Sequence, residues 1–161
     1  MSRHKIVDYN TLPDVVDTYK KRGHTVVTTN GCFDILHVGH IRYLQEARKL
    51  GDVLIVAVNT DESVKLNKGP RRPLNTEQDR AEALAALECV DYVTLFSDKT
   101  PESLLSKLKP HIHTKGGDYV MSQIIEKGVV EAGGGKVVLI SPTKGLSTTN
   151  LINKIVNIYR K

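Results

Sequence analysis

The chain has no tryptophan and only two phenylalanines and two methionines in 161 residues. Aromatic residues make up 5% of it, and none interleave with the basic residues, so the stacking platform of a single-strand nucleic-acid binder is missing. The two cysteines, Cys32 and Cys89, do not have the spacing of a metal site. A reduced, cytoplasmic protein is the simplest reading, with a disulfide between them left open. No apolar run is long enough for a transmembrane helix, and the start MSRHKIVDYN lacks the apolar stretch of a secretory signal. No internal repeat, low-complexity tract or linker divides the chain. A single domain over residues 1–161 is expected, with 1–24 as a helical lead-in and 25–160 as the core.

What is present is ordinary for a globular chain, with 40% apolar and 25% charged residues. The net charge of +5 suits small anionic substrates or nucleic acid. The basic residues are scattered except between Lys68 and Arg72, so the expectation is a small anion, with no nucleic acid and no membrane as partner.

Five strands are predicted. Thr25 to Thr29 is a β-branched run, and Val53 to Val58 is an unbroken apolar run of the kind found in a parallel strand covered on both faces. Tyr92 to Phe96, Ile112 to Thr114 and Lys136 to Ile140 follow. Helical patterns lie between them: Leu12 to Arg22 with Thr11 as cap, a helix through Leu50, one from Asn75 or Thr76 to Leu87, one from Thr100 to Leu108, Ser122 to Ala132, and a last amphipathic helix to Arg160. Residues 1–10 read as a loose lead-in, Asn30-Gly31 as a turn, Asn59 to Lys65 as a polar strand exit and Leu66 to Leu74 as a mobile basic loop. The alternation predicts an α/β domain, a Rossmann-like, doubly wound five-stranded parallel sheet.

The stretch Thr28 to His40, TTNGCFDILHVGH, carries the strongest chemical signal. It reads as a strand end, a turn and a helix start, and a helix start favours phosphate through its unpaired N–H groups and partial positive charge. His37 and His40 share a face there and flank Gly39. Three readings stand: both histidines donate to phosphate, they hold zinc together with Cys32 or Asp34, or one merely caps the turn. Gly31 and Gly39 allow close backbone approach or simply turn the chain. Phe33 reads as core, and Asp34 as a turn residue or a partner for a cation. Asn59 and Asp61 follow a strand end, where ligands sit in open parallel sheets. Ser147, Thr148 and Thr149 form a second hydroxyl-rich helix start, and two such starts suit the two ends of a triphosphate. Arg80, Lys68 and Arg72 are further anion-binding candidates, each with a plain surface role as the alternative.

GCFDILHVGH, together with KGGDY and GLSTTNLI, resembles the His-x-Gly-His nucleotidyltransferases, of cytidylyltransferase-like type. The likeness runs from about Thr25 to the last helix. The phrases LGDVLIVAVNTDESV, RPLN, RAEALAALECVDYV and TKGGDY are similar to the branch that makes ADP-heptose in bacteria, which often forms one domain of a bifunctional enzyme with a sugar kinase. The motif alone is shared with cytidylyltransferases, pantetheine-phosphate adenylyltransferases and class I aminoacyl-tRNA synthetases. Glycerol-phosphate cytidylyltransferases carry an arginine in an RTEGIST segment, whereas here SPTKGLST puts Pro142 in its place. That departure favours the heptose branch.

The resemblance implies transfer of AMP from ATP to a heptose 1-phosphate, with pyrophosphate released and Mg²⁺ accompanying ATP. The product would feed lipopolysaccharide or another surface heptose glycan. By the same resemblance, His37 and His40 stabilise the transition state and Lys68 is the mobile-loop lysine that binds phosphate. Asn30, Gly31, Cys32, Phe33 and Gly39 hold the nucleotide, as do Arg80 and the Ser147-Thr148-Thr149 segment. Lys115, Gly117 and Asp118 lie on the sugar or nucleotide side, and Asp34, Asn59, Asp61, Lys68 and Arg72 face the second substrate. No metal ligands are assigned and homo-oligomer formation is left open. A sugar phosphate is already mostly ionised at pH 7, its second pKa being about 6, so no general base is required. Another nucleotide or phosphate ester (GTP with a heptose phosphate, CTP with glycerol 3-phosphate) and a non-catalytic nucleotide sensor are the alternatives.

Overall fold

The computed structural model describes residues 2–117 and 120–160. Five parallel strands form one sheet: β1 (Val26–Gly31), β2 (Val53–Asn59), β3 (Tyr92–Phe96), β4 (Ile112–Gly116) and β5 (Lys136–Ile140), in the order β3-β2-β1-β4-β5. The chain winds outward from β1 to β3, then returns to the other side of β1. The reversal falls between β1 and β4, and the crevice at their carboxyl ends is where open parallel sheets bind ligands. The doubly wound architecture expected from the sequence is the observed one.

Every residue of interior strand β2 is buried, which is why it lacks an apolar–polar alternation. One face of the sheet packs Val27, Leu54 and Val56 against Leu44 of α2 (Val38–Arg48) and Leu84 of α4 (Glu77–Ala85). The other packs Val26, Ile55 and Phe96 against Leu12 and Val16 of α1 (Leu12–Lys21) and Leu104 of α5 (Glu102–Leu108). The remaining helices are α3 (Asp61–Lys68), α6 (Lys127–Ala132) and α7 (Thr148–Tyr159).

Several expectations are corrected. The polar segment after β2 is not a loop exit: Thr60 Oγ1 accepts from Ser63 N at 3.3 Å, and Asp61 and Glu62 favour the first turn, so α3 forms and absorbs Leu66 to Lys68. Asn30 and Gly31 belong to β1, and the chain turns after them, where Phe33 takes a left-handed φ of 49°. The lead-in is docked, because Lys5 Nζ donates to the carbonyls of Leu87 and Val90 and Val7 N donates to Val93 O. Thr11 does not cap α1 through its side chain; its hydroxyl donates to Asp8 O instead. The helix expected over Ser122 to Ala132 is a short 3-10 turn, Met121–Gln123, followed by α6.

Candidate active site

The β1–α2 turn sets the site. His37 is the N-cap of α2, and its Nδ1 accepts from Gly39 N at 3.1 Å. That bond leaves the remaining ring nitrogen of neutral His37 as the N–H donor. The His37 and His40 rings stack at a centroid distance of 3.9 Å, and Phe33 meets His40 edge-on at 5.4 Å. A Cβ at position 39 would lie 2.9 Å from the His37 ring and 3.2 Å from Leu146 Cβ. Gly39 therefore lets the start of α2 approach the loop that leads into α7. The two expected helix starts do face each other.

Between them lies a cavity of about 650 Å³. Asn30 to Asp34, His37, Gly39 and His40 line one side, with Ser147 and Thr148 opposite. Ser147 Oγ caps α7 by accepting from Asn150 N at 3.1 Å. Asn59, Lys68, Arg72, Lys115 and Gly117 also reach the cavity. The expected residues from five separate segments are thus brought together.

Burial lowers the pKa of His40 to about 4, aided by the nearby His37 and Lys68. Burial also lowers that of His37. Both rings are neutral N–H donors at pH 7, and an incoming phosphate would favour their charged forms. Burial pushes the Cys32 thiol up, which keeps it protonated and a poor nucleophile.

Among the described residues, three expected site residues stand outside the cavity lining. Arg80 is 1% exposed and does not line the cavity. Its Nη1 donates to Cys32 O at 2.6 Å, its Nε to Asn75 O at 3.1 Å and its Nη2 to Asp61 Oδ1 at 2.8 Å. Arg80 and Asp61 therefore form a clamp behind the turn, because a buried guanidinium must satisfy its donors and the nearest acceptors are there. Thr149 lies inside α7, away from the cavity lining. Asp118 lies outside the described residues.

Asp34 reaches the cavity with its carboxylate already engaged. Arg72 Nε donates to it at 2.6 Å, and Leu74 N and Asn75 N donate at 2.8 and 2.9 Å. Burial opposes its charge, but the Asn75, Arg72 and Leu74 donors outweigh that and hold its carboxyl below the usual range. Asp34 thereby anchors the loop after α3.

Sequence reasoning missed Tyr43, Lys99 and Glu126. Tyr43 lies in the cavity floor, its hydroxyl 2.7 Å from Thr29 Oγ1 and 3.0 Å from Thr114 Oγ1. It sits one helical turn beyond His40, a spacing that signals a shared face. Lys99 follows the carboxyl end of β3, where the topology rule would have looked. Nothing local in the sequence marks Glu126. Among the described residues, no three His, Cys, Asp or Glu converge as metal ligands, so the zinc reading has no ligand set.

The doubly wound sheet, with stacked histidines at the start of the helix after β1, defines an α/β protein with its candidate site at the switch point. Residues 28–154 match the cytidylyltransferase-like family model, and the chain belongs to that family. It is 51% identical over 151 residues to the bifunctional protein HldE of Syntrophotalea carbinolica, covering 94% of this chain and 31% of that one. The bifunctional protein HldE of Geobacter metallireducens is 48% identical, over 96% of this chain and 32% of the relative. The chain thus spans about a third of the length of the curated relatives it matches. The crystal structure of the lipopolysaccharide core biosynthesis protein from Thermoplasma volcanium superposes with a TM-score of 0.63 at 34% identity, over 76% of this chain and 98% of that one. Pantoate-beta-alanine ligase from Francisella tularensis, at 20% identity and a TM-score of 0.60 over 97% of this chain and 79% of that one, shares the fold alone.

Proposed function

We infer that this chain is a nucleotidyltransferase that transfers AMP from ATP to a heptose 1-phosphate. A phosphate oxygen of the sugar phosphate attacks the α-phosphorus of ATP, the bond to the bridging oxygen breaks, and pyrophosphate leaves as ADP-heptose forms. The observation that carries this reading is the approach of the two helix starts, His37–His40 and Ser147–Thr148, across one cavity. The resemblance to bifunctional HldE and to a lipopolysaccharide core biosynthesis protein supports the heptose substrate.

The chemistry asks for alignment of two anions and for donors aimed at developing charge. His37 and His40 supply ring N–H groups to the phosphates, and Lys68 supplies a cation that no ion pair among the described residues occupies. Ser147 and Thr148 hold the far end of the triphosphate through hydroxyls and helix N–H groups. Mg²⁺ would enter with the triphosphate, whose oxygens would hold it in this reading. No described helix is long and apolar enough to cross a membrane, and the proposed setting is the cytoplasm.

Pyrophosphate release across four nucleoside triphosphates and several sugar phosphates tests this directly. ATP with a heptose 1-phosphate is expected to give the highest kcat/KM. Release with CTP and glycerol 3-phosphate instead would move the chain to another branch, and no release with any pair would remove the enzymatic reading. In the same assay His40→Ala should lower kcat about 10²–10³-fold while ATP still binds, as for loss of an oxyanion donor. A nucleotide sensor would show binding without turnover in either form.

A further inference from the structure

One wall of the cavity holds two opposite charges. Lys115 Nζ, near the end of β4, lies 2.6 Å from Glu126 Oε1 and donates to Asn30 Oδ1 at 3.1 Å. The Lys115 and Glu126 side chains are 18% and 7% exposed, and both residues line the cavity. A buried ion pair is a poor way to hold β4 against the segment before α6. Packed apolar side chains of similar volume do that as well or better, because they carry no desolvation cost. The pair also stands where a ligand can reach it.

Elsewhere the cavity is charged differently. Lys68 and Lys99 line it without an ion-pair partner among the described residues, and they suit phosphate. Asp34, the other carboxylate in the lining, is taken up by Arg72 and by the backbone of Leu74 and Asn75. At Lys115 and Glu126 the net charge is zero, yet a strong donor and a strong acceptor sit side by side. Phosphate oxygens only accept, and a carboxylate repels them. Hydroxyl groups both donate and accept, and match such a pair.

We propose that Lys115 and Glu126 form a hydroxyl-recognition subsite, in which Glu126 accepts hydrogen bonds from a vicinal diol and Lys115 donates to it. The diol belongs either to the ribose of the nucleotide or to the polyol of the sugar phosphate. The proposal rests on the nucleotidyltransferase reading and adds a specificity-determining residue that the phosphate-binding motifs do not contain.

The test combines calorimetric binding of ATP, 2′-deoxy-ATP and 3′-deoxy-ATP with the KM for the sugar phosphate, on the unmodified protein and on Glu126→Gln. A charged hydrogen bond of this kind should be worth about tenfold or more. For a ribose diol, Glu126→Gln weakens ATP about tenfold and abolishes the preference for ATP over its deoxy forms. For a sugar diol, the KM of the sugar phosphate rises about tenfold while ATP affinity holds and kcat stays within about threefold. Either result supports the subsite. Equal weakening of ATP and both deoxy forms, a fall in kcat alone, or no change in any of these values overturns it. If Glu126→Gln fails to fold, Lys115→Met with Glu126→Leu removes both charges without stranding one, and the same outcomes decide. Should the unmodified protein bind none of the nucleotides, the nucleotidyltransferase reading falls first and takes this inference with it.

Discussion

The two helix starts that face the cavity are anchored in opposite ways. Leu44 and Ala47 of α2 are fully buried, Tyr43 bonds to both β1 and β4, and Arg80 clamps the turn that enters the helix. None of the described α7 residues is buried, and Ile155, Ile158 and Tyr159 are 46%, 62% and 78% exposed. The start of α7 is held by local bonds, from Asn150 N to Ser147 Oγ and from Asn150 Nδ2 to Gly145 O. The histidine half of the site is therefore a fixed template continuous with the core. The hydroxyl half is a locally capped helix set beside it. Damage to the first should cost the fold as well as the site, and damage to the second should cost ligand binding with little cost to the fold.

The largest expected effect is on the first side. Arg80→Ala leaves the buried Cys32 carbonyl without its donor and a cavity where the guanidinium packed, and should lower unfolding stability by about 3 kcal/mol. Urea midpoints measure this, and a shift no larger than that of a surface substitution would erase the contrast.

An intermediate effect involves His113, in the β4 strand that flanks the template. Its Nδ1 lies 2.9 Å from Thr28 Oγ1, and burial, aided by Lys115, pushes its pKa down to about 3. An unfolded histidine titrates near 6.5. Above that pH neither state binds the proton and the full stability is present. As pH falls below it, the unfolded chain gains the proton first, so stability is lost progressively down to about pH 3. Between pH 6.5 and 5 the loss from this ring should be about 2 kcal/mol. Urea unfolding of the unmodified protein and of His113→Leu at both pH values should show a smaller drop in the variant. Equal drops would exclude His113 as a source of acid sensitivity.

The smallest effect belongs to α7. Ser147→Ala removes one cap worth about 1 kcal/mol to that helix. The KM for the nucleotide should rise several-fold, while the urea midpoint stays nearly unchanged because α7 adds nothing to the buried core. A midpoint shift comparable to that of Arg80→Ala would mean that α7 is as integral as α2.

Much of this was legible in the sequence. The bounds of β3 and β5 were read directly, because short apolar, β-branched runs between polar turns have few other structures open to them. The cavity-lining residues His37, His40, Ser147 and Thr148 were legible because helix starts advertise themselves through caps and glycines. Helix α3 was not, since Asp61–Lys68 buries only Ser63 and Val64 and offers little apolar periodicity. Its signal was the Thr60 cap followed by two acidic residues. Arg80 shows a different limit. Its type and position suggested anion binding, but whether a mid-helix arginine faces the cavity or the wall behind it depends on where β1 places the Cys32 carbonyl.

By itself, then, the sequence determined the order of strands and helices and the presence of two phosphate-suited helix starts, because periodicity, capping and turn chemistry act over a few neighbouring residues. Only the tertiary structure decided which side chains share the cavity. The reversal between β1 and β4 brings Asn30 beside Lys115, and the segment before α6 sets Glu126 against Lys115. The Asn30–Lys115 bond joins residues 85 positions apart, and no local pattern encodes it.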